Sequence, residues 1–148
     1  MDYLNRDDAF FMNEALKQAF IAESEDEVPV GAVIVHGNKI IAKAYNQVER
    51  LKDVTAHAEM LAITAASNFL GSKYLTDCKM YVTLEPCLMC ATAIFWSKLE
   101  QTIYGAADNK KGFSTVSTNF QENEKIKFLE NNACAEILKD FFKKKRNI

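Results

Sequence analysis

The sequence predicts an α/β domain in which helices cover both faces of a mixed β-sheet. Two apolar segments, 30–35 and 39–45, flank the turn residues 36–38 and predict a β-hairpin early in the chain. Farther along, strand-like segments alternate with helical patterns, and strand–helix–strand units are typical of sheets that contain parallel strands. With 148 residues and 49% hydrophobic content, the chain is predicted to form a single domain, 1–148.

The predicted elements follow the order α-β-β-α-β-α-β-α. Helical spacing of apolar residues predicts a first helix at about 6–23, before the hairpin. Thr55 is predicted to cap a helix that runs from about Ala56 to Asn68. The same patterns predict the remaining elements: a strand at 79–83, a helix at 87–98, a strand at 101–104 and a last helix at 133–145.

Two short motifs indicate the chemistry. His57-Ala58-Glu59 is followed after 26 residues by Pro86-Cys87-Leu88-Met89-Cys90. One imidazole and two thiolates can hold Zn²⁺ and leave a fourth position for water, which is the arrangement of catalytic zinc sites. We therefore predict one zinc ion per chain, bound by His57, Cys87 and Cys90, whose function is to make hydroxide near neutral pH.

Glu59 has a different predicted role. His57 and Glu59 are two residues apart, about 200° on a regular helix, so both can face one site only in a first turn that wraps around it. Cys87 and Cys90 are three apart, so at a helix start they point to one side, where the helix dipole favours thiolates. Glu59 is then the catalytic proton shuttle and not a ligand.

Alternatives exist for the cysteine pair. A C-x-x-C pair also fits a thioredoxin-like redox motif or half of a structural zinc site. The redox alternative gives no role to the upstream histidine, and a structural site needs a fourth protein ligand. The candidates for that fourth ligand are His36, Cys78 and Cys134, and none has the spacing of a second zinc knuckle. We expect His36 to be an exposed turn residue, and Cys78 and Cys134 to be small buried residues.

Composition limits the partners and the compartment. The formal net charge of −2 excludes a global nucleic-acid footprint, so any RNA contact must be local. No apolar run is long enough to span a bilayer, and residues 1–6 lack the basic-then-apolar order of a secretory signal. Four cysteines do not make a disulfide framework. We predict a cytoplasmic protein without membrane association.

The combined motif resembles that of the zinc-dependent nucleobase deaminases. More specifically, the chain closely resembles the bacterial tRNA-specific adenosine deaminases, within the cytidine and deoxycytidylate deaminase superfamily. The resemblance covers nearly the whole chain to about Gly112 and resumes in the last helix. It is carried by five segments: 27–33 (EVPVGAV), Tyr45-Asn46, 55–59 (TAHAE), 81–91 (YVTLEPCLMCA) and 105–112 (GAADNKKG).

The resemblance implies a three-layer α-β-α fold of the cytidine-deaminase type. It also implies a homodimer that converts adenosine to inosine at the wobble position of a tRNA anticodon. Asn46 matches the residue that hydrogen-bonds the flipped nucleotide, and Val28, Pro29 and Val30 match the apolar wall beside the ring. Asp108 and Lys110 match residues that contact the backbone of the anticodon loop. Phe142 and the basic residues of the last helix match a second group that contacts the RNA.

Two segments depart from the family pattern. Phe95-Trp96 replaces a histidine-containing segment, and an aromatic-Trp pair also occurs in related free-guanine deaminases; Trp96 is predicted to be a core or dimer-interface residue. Residues 113–132 are shorter and lack the usual glycine-rich loop. The alternatives are therefore a deaminase of free guanine, cytosine or another nucleobase, and a non-catalytic, zinc-stabilised partner subunit.

Overall fold

The computed structural model describes residues 6–116 and 124–147. The helices in this part of the chain are α1 (Asp8–Ser24), α2 (Val48–Leu51), α3 (Ala58–Leu70), α4 (Leu88–Ser97) and α5 (Asn132–Arg146). The strands are β1 (Gly31–His36), β2 (Lys39–Tyr45), β3 (Cys78–Val82), β4 (Gln101–Tyr104) and β5 (Ile126–Phe128). A 3₁₀ turn at Phe113–Thr115 follows β4.

The five strands form one sheet in the order β2-β1-β3-β4-β5. β1 is antiparallel to both β2 and β3, whereas β3, β4 and β5 are mutually parallel. The α4 helix makes the crossover between β3 and β4, as parallel pairing requires. α1 packs with α5 and α3 packs with α4, and α1 and α3 both contact the sheet. The predicted mixed sheet with helices on its faces is confirmed.

Helix α1 has a capped N-terminus and lies close to the sheet. Asp7 caps it by accepting a hydrogen bond from the backbone N–H of Phe10 at 2.9 Å. At Gly31, a Cβ atom would lie only 2.1 Å from the carbonyl oxygen of Ala15 and 2.5 Å from the backbone nitrogen of Ala19. Because only glycine fits there, the start of β1 lies directly against α1.

The predicted cap of helix α3 is wrong. Helix α3 begins at Ala58 with His57 at the N-cap, and Thr55 makes no cap. Instead, the Thr55 hydroxyl donates to Oδ1 of Asp53 at 2.7 Å, and its N–H donates to the same oxygen at 2.8 Å. This local turn uses the hydroxyl that the cap would need, because short polar side chains compete for nearby backbone groups.

Two elements are missing from the sequence prediction. Strand β5 has three residues and α2 has four, so neither is long enough to show a periodic pattern. The N-terminus of α2 is capped from a distance: the buried carboxylate of Glu27 accepts hydrogen bonds from the N–H groups of Glu49 at 3.0 Å and Arg50 at 2.7 Å. A cap more than twenty residues away leaves no local sequence signature.

No helix within the described ranges is long and apolar enough to cross a membrane.

Candidate active site

The first turns of α3 and α4 meet beyond the end of β3 and bring both motifs together. His57 is the N-cap of α3 with an extended backbone, and Glu59 lies in the first turn of that helix. Glu59 is 4% exposed, which places its carboxyl group inside the protein. The change from extended to helical backbone at His57 allows residues two apart to face one space, as the wrapped first turn predicts.

The cysteine motif is placed in the same way. Cys87 is the N-cap of α4 with an extended backbone, and Cys90 lies on the buried face of the first turn. The Sγ atoms of Cys87 and Cys90 lie 3.6 Å and 3.5 Å from Nδ1 of His57. All three potential ligand atoms lie within 4.8 Å of one another. The structure therefore holds one nitrogen and two sulfur donors around a common point.

This donor set fits a zinc ion. Zinc binds thiolate at about 2.3 Å and imidazole at about 2.0 Å, and a tetrahedral angle between these bonds separates sulfur from nitrogen by about 3.5 Å. The two observed sulfur–nitrogen distances, 3.6 Å and 3.5 Å, agree with that separation. Within the part of the chain that the structure describes, this is the one group of three or more such side chains close enough to hold a metal.

Burial and mutual hydrogen bonds shift the titration of these groups. A hydrogen bond from the Cys90 thiol, together with one from His57, lowers the pKa of Cys87 to about 4. The pKa of Cys90 is raised because its thiol donates to Cys87 and because it is buried. The hydrogen bond to Cys87 raises the pKa of His57 against the opposing effect of burial. A thiolate at a helix N-terminus beside an imidazolium is thus favoured before any metal binds.

Glu59 titrates in a different range from an ordinary carboxyl group. Burial raises the pKa of Glu59 from 4.5 to about 7, since the charged form loses its hydration. The backbone, His57 and the Cys90 thiol favour the charged form of Glu59, but the effect of burial on its pKa is larger. A carboxyl group whose pKa lies near neutrality can both accept and release a proton at the same pH, which is what general acid–base catalysis requires.

A cavity of 620 Å³ opens beside His57, Glu59 and Cys87, a size typical of small-molecule and nucleotide sites. Val28 and Val30 supply apolar side chains to its wall, but Pro29 between them is buried and does not line it. The full lining, which includes His57 and Cys87 but not the buried Cys90, is Asp26, Glu27, Val28, Val30, Asn46, Val48, Glu49, His57, Ala58, Glu59, Leu84, Glu85, Cys87, Asp108, Lys111, Phe141, Phe142 and Lys145.

Asn46 faces the cavity with one polar atom unused. Its Nδ2 donates to the carbonyl oxygen of Val28 at 3.2 Å. Its Oδ1 is buried and has no hydrogen-bond partner among the described residues. An unpaired acceptor inside a protein is costly and marks a position where a bound molecule can donate a hydrogen bond.

The loop after β4 places Lys111, and not Lys110, at the cavity. Oδ1 of Asp108 accepts hydrogen bonds from the N–H groups of Lys110 at 3.1 Å and Lys111 at 3.0 Å. Asp108 and Lys111 line the cavity, whereas Lys110 is exposed outside it. The sequence pattern alone does not indicate which lysine lines the cavity, because that depends on the path of the backbone through this turn.

The last helix closes one side of the cavity. Phe142, 44% exposed, lines it together with Phe141 and Lys145. Nζ of Lys145 lies 2.7 Å from Oδ1 of Asp26, so an ion pair joins α5 to the loop before β1. Phe142 and the basic residues are predicted from the sequence, whereas the contact with Asp26 is not.

Four residues that were not assigned to the predicted site can be compared with their expected positions. His36 is exposed beside the hairpin turn, and Cys78 and Cys134 are buried, as predicted. A core position for Trp96 is wrong, because its side chain is 71% exposed. Helix α4 buries the face that carries Ala91 and Ile94, which leaves Trp96 on the opposite side. The segment 117–123, part of the shortened 113–132 region, lies outside the described residues.

Two buried carboxylates are missing from the predicted site. Glu27 and Glu85 are 1% and 4% exposed and both line the cavity. Glu27 is the last residue of an acidic run that predicts a solvated loop, so the sequence pattern does not indicate that its side chain is buried. Glu85 is a single acidic residue in the apolar segment before Pro86, and this isolation is a sequence feature that could have indicated a buried role.

Comparison with known proteins identifies the family. A model of MafB19-like deaminases matches residues 5–146. The tRNA-specific adenosine deaminase of Aquifex aeolicus (strain VF5) is 46% identical over 144 residues, which cover 93% of this chain and 95% of that protein. The chain belongs to the tRNA-specific adenosine deaminase family. This family assignment agrees with the resemblance found in the sequence segments around the two motifs.

Solved structures of deaminases share the fold of this chain. A structure from studies of A-to-I editing by tRNA deaminases at the wobble position has a TM-score of 0.80 and 39% identity, and the match covers 88% of this chain and 99% of that chain. The guanine deaminase of Bacillus subtilis has a TM-score of 0.70 and 30% identity, covering 97% of this chain and 96% of that chain. The predicted cytidine-deaminase-like fold is thereby confirmed.

Proposed function

We propose that this protein is a zinc-dependent hydrolase that converts adenosine to inosine at the wobble position of a tRNA anticodon. The observation that carries this proposal is the position of Glu59 beside three metal-binding side chains at a nucleotide-sized cavity. The same chain is 46% identical to a tRNA-specific adenosine deaminase and 39% identical to a solved tRNA deaminase. The net reaction replaces an exocyclic amine by oxygen, consuming water and releasing ammonia.

His57, Cys87 and Cys90 would hold the zinc ion, which supplies a water-derived nucleophile at neutral pH. Glu59 is the proton carrier in this proposal. Its carboxylate takes one proton from the attacking water and gives it to the ring nitrogen. It then takes the second proton from the new hydroxyl group and gives it to the departing amine, which leaves as ammonia. Burial suits Glu59 to these steps, because a pKa of about 7 lets both protonation states contribute near neutrality.

The cavity wall would bind the flipped base. The side chains of Val28 and Val30 offer an apolar surface to one face of the ring, and Pro29 holds the chain between them. The free Oδ1 of Asn46 accepts a hydrogen bond from a donor group of the nucleotide. A base removed from its stack is typically read in this manner, by packing against apolar side chains and by hydrogen bonds to its polar edge.

The RNA around that base would meet a small number of side chains. An acidic protein must concentrate its phosphate contacts, and Lys111 and Lys145 are the cationic residues that line the cavity. Phe142 presents an exposed ring for stacking of an unpaired base. Asp108 shapes the loop that carries Lys111, while Lys110 lies outside the cavity on the same loop.

We further propose that the protein is a cytoplasmic homodimer with one deaminase domain per chain. Exposed apolar side chains cluster on α4, where Phe95 is 59% and Trp96 71% exposed, and exposed apolar patches typically mark protein interfaces. The four free cysteines are compatible with a reducing compartment. Sedimentation equilibrium tests the dimer: Trp96→Glu is expected to yield monomers, and an unchanged mass would overturn this interface.

A direct assay tests the proposed reaction. The zinc-loaded protein is incubated with bulk tRNA and, separately, with free guanine, cytosine and adenine, while inosine in the RNA and released ammonia are measured. Inosine in tRNA without turnover of the free bases is the expected result. The guanine deaminase of Bacillus subtilis is 30% identical, which makes guanine the most informative competitor. Faster turnover of guanine than of tRNA would replace this proposal, and no ammonia from any substrate would favour a non-catalytic subunit.

A further inference from the structure

Glu85 is buried beside the active site but takes no part in the proposed metal binding or proton transfer. It is 4% exposed, and both carboxylate oxygens accept hydrogen bonds from the loop after β4. Oε1 accepts from the N–H of Asp108 at 3.1 Å. Oε2 accepts from the N–H of Ser114 at 3.0 Å and from the Ser114 hydroxyl at 2.6 Å. One side chain thus holds both ends of the segment 108–114.

The surrounding backbone leaves little freedom for a different arrangement. The N–H of Glu85 donates to the carbonyl oxygen of Ala106 at 2.8 Å, and the N–H of Phe113 donates to that of Pro86 at 2.8 Å. At Gly112, a Cβ atom would lie 2.3 Å from Oε2 of Glu85. The loop therefore packs directly on the carboxylate, and the segment that leads to Cys87 is joined to it.

The hydrogen bonds continue from Glu85 to the cavity. Glu85 fixes the backbone of Asp108, whose Oδ1 accepts from the N–H groups of Lys110 and Lys111. These bonds fix the backbone that carries both lysines, of which Lys111 lines the cavity and Lys110 does not. The position of the cation at the cavity thus depends, through two steps, on the carboxylate of Glu85.

A carboxylate is chemically suited to this position. It accepts hydrogen bonds at both oxygens and donates none, whereas glutamine has one accepting oxygen and an NH₂ group that donates. All three groups that face Glu85 are donors, so one end of a glutamine side chain would oppose donor to donor. Glutamine has nearly the same shape and is therefore a sharp test of the role of the charge.

We propose that Glu85 is a positioning residue for substrate affinity, which orders the loop 108–114 so that Lys111 meets a phosphate of the RNA. This inference rests on the proposed tRNA deaminase function. In this role Glu85 sets the KM for tRNA and leaves the chemical step at Glu59 unchanged. A residue that only stabilises the fold would instead lower the amount of active protein, and kcat would fall with KM unchanged.

The test compares the steady-state kinetics of wild type and Glu85→Gln on tRNA, with zinc content and thermal unfolding as checks of integrity. We expect KM to rise about tenfold and kcat to stay within about twofold. The slope of log kcat/KM against log salt concentration should become shallower by the contribution of about one phosphate contact. Glu100→Gln is the matched control, because Glu100 is exposed and does not line the cavity. That control should show no change in KM.

A double-mutant cycle with Lys111→Ala identifies the route of the effect. If Glu85 acts by placing Lys111, Glu85→Gln should raise KM much less in the Lys111→Ala background than in wild type. Ser114→Ala, which removes one of the three hydrogen bonds, should raise KM about threefold and serves as the test variant if Glu85→Gln does not fold. Additive effects of Glu85→Gln and Lys111→Ala, or an unchanged KM in both Glu85→Gln and Ser114→Ala, would overturn the inference. Absence of inosine with wild type would overturn the proposed function itself.

Discussion

Lys145 in the last helix and Asp26 in the loop before β1 form an ion pair in which Nζ lies 2.7 Å from Oδ1 and 2.9 Å from Oδ2. Asp26 has a φ of 60°, so its backbone is in the left-handed region that few residues other than glycine adopt. Both residues line the cavity. The pair therefore brings the basic end of α5 to the site where an RNA phosphate would lie.

The first prediction concerns that basic end. Replacing Lys143, Lys144, Lys145 and Arg146 by alanine should raise the KM for tRNA and flatten its salt dependence, because each lost phosphate contact removes about 0.7–0.9 from the log–log slope. Zinc content and kcat should not change. The matched control replaces four lysines that do not line the cavity: Lys17, Lys39, Lys73 and Lys98. An equal effect in the control would show that net charge alone is responsible.

The second prediction concerns the metal. Purified protein should contain one zinc ion per chain, and alanine at His57, Cys87 or Cys90 should abolish tight binding, because two ligands cannot hold the ion well. Elemental analysis measures this directly. Cys134→Ala is the control, since that cysteine is buried away from the ligand group and should keep its zinc. Two metals per chain, or full retention in Cys87→Ala, would contradict the assignment.

The third prediction separates catalysis from folding. Glu59→Ala should retain zinc and the fold but lose about 10²–10⁴-fold in kcat, because general acid–base catalysis contributes this much. Rapid quench with saturating tRNA measures the chemical step. Glu59→Gln keeps the shape of the side chain and should be nearly as inactive. Turnover near that of wild type in either variant would remove Glu59 from the role of proton carrier.

The fourth prediction follows from the raised pKa of Glu59. In the unfolded chain this group ionises near its ordinary value of 4.5, whereas in the folded, metal-free protein it keeps its proton up to about pH 7. Between these values the folded state binds more protons, so stability must fall as the pH rises. Relative to Glu59→Gln, metal-free wild type should lose about 3 kcal/mol of unfolding free energy from pH 4.5 to pH 7 and little above it. Urea titrations across this range measure the difference, and a constant difference would refute the shift.

The sequence predicts the parts of the site that depend on local spacing. His57 and Glu59 are two residues apart at a helix start, and Cys87 and Cys90 are three apart at another, so each pair converges through the geometry of one turn. The order and type of the longer elements follow from the same local patterns. The meeting of the two helix starts depends on the packing of α3 with α4 over the sheet. The alternation of strands and helices already indicates that sheet.

Other features depend on contacts between distant segments and are not accessible in this way. Glu27 caps α2 from more than twenty residues away, so neither its burial nor that short helix has a local signature. Thr55 satisfies the pattern of a helix cap but bonds to Asp53 instead. The choice of Lys111 over Lys110 at the cavity depends on the turn at Asp108, which Glu85 fixes from another segment.

In the proposed function, this site converts one adenosine, at the wobble position of a tRNA anticodon. Transcripts of a tRNA with adenosine at that position, treated with wild type or with Glu59→Ala, can be reverse transcribed and sequenced. With the wild type, we expect the wobble adenosine, and no other adenosine, to be read as guanosine. Glu59→Ala should leave it unchanged, and a transcript with cytidine or uridine at that position should show no conversion. Conversion of adenosines elsewhere with the wobble position unchanged, or conversion by Glu59→Ala at the rate of wild type, would contradict the account.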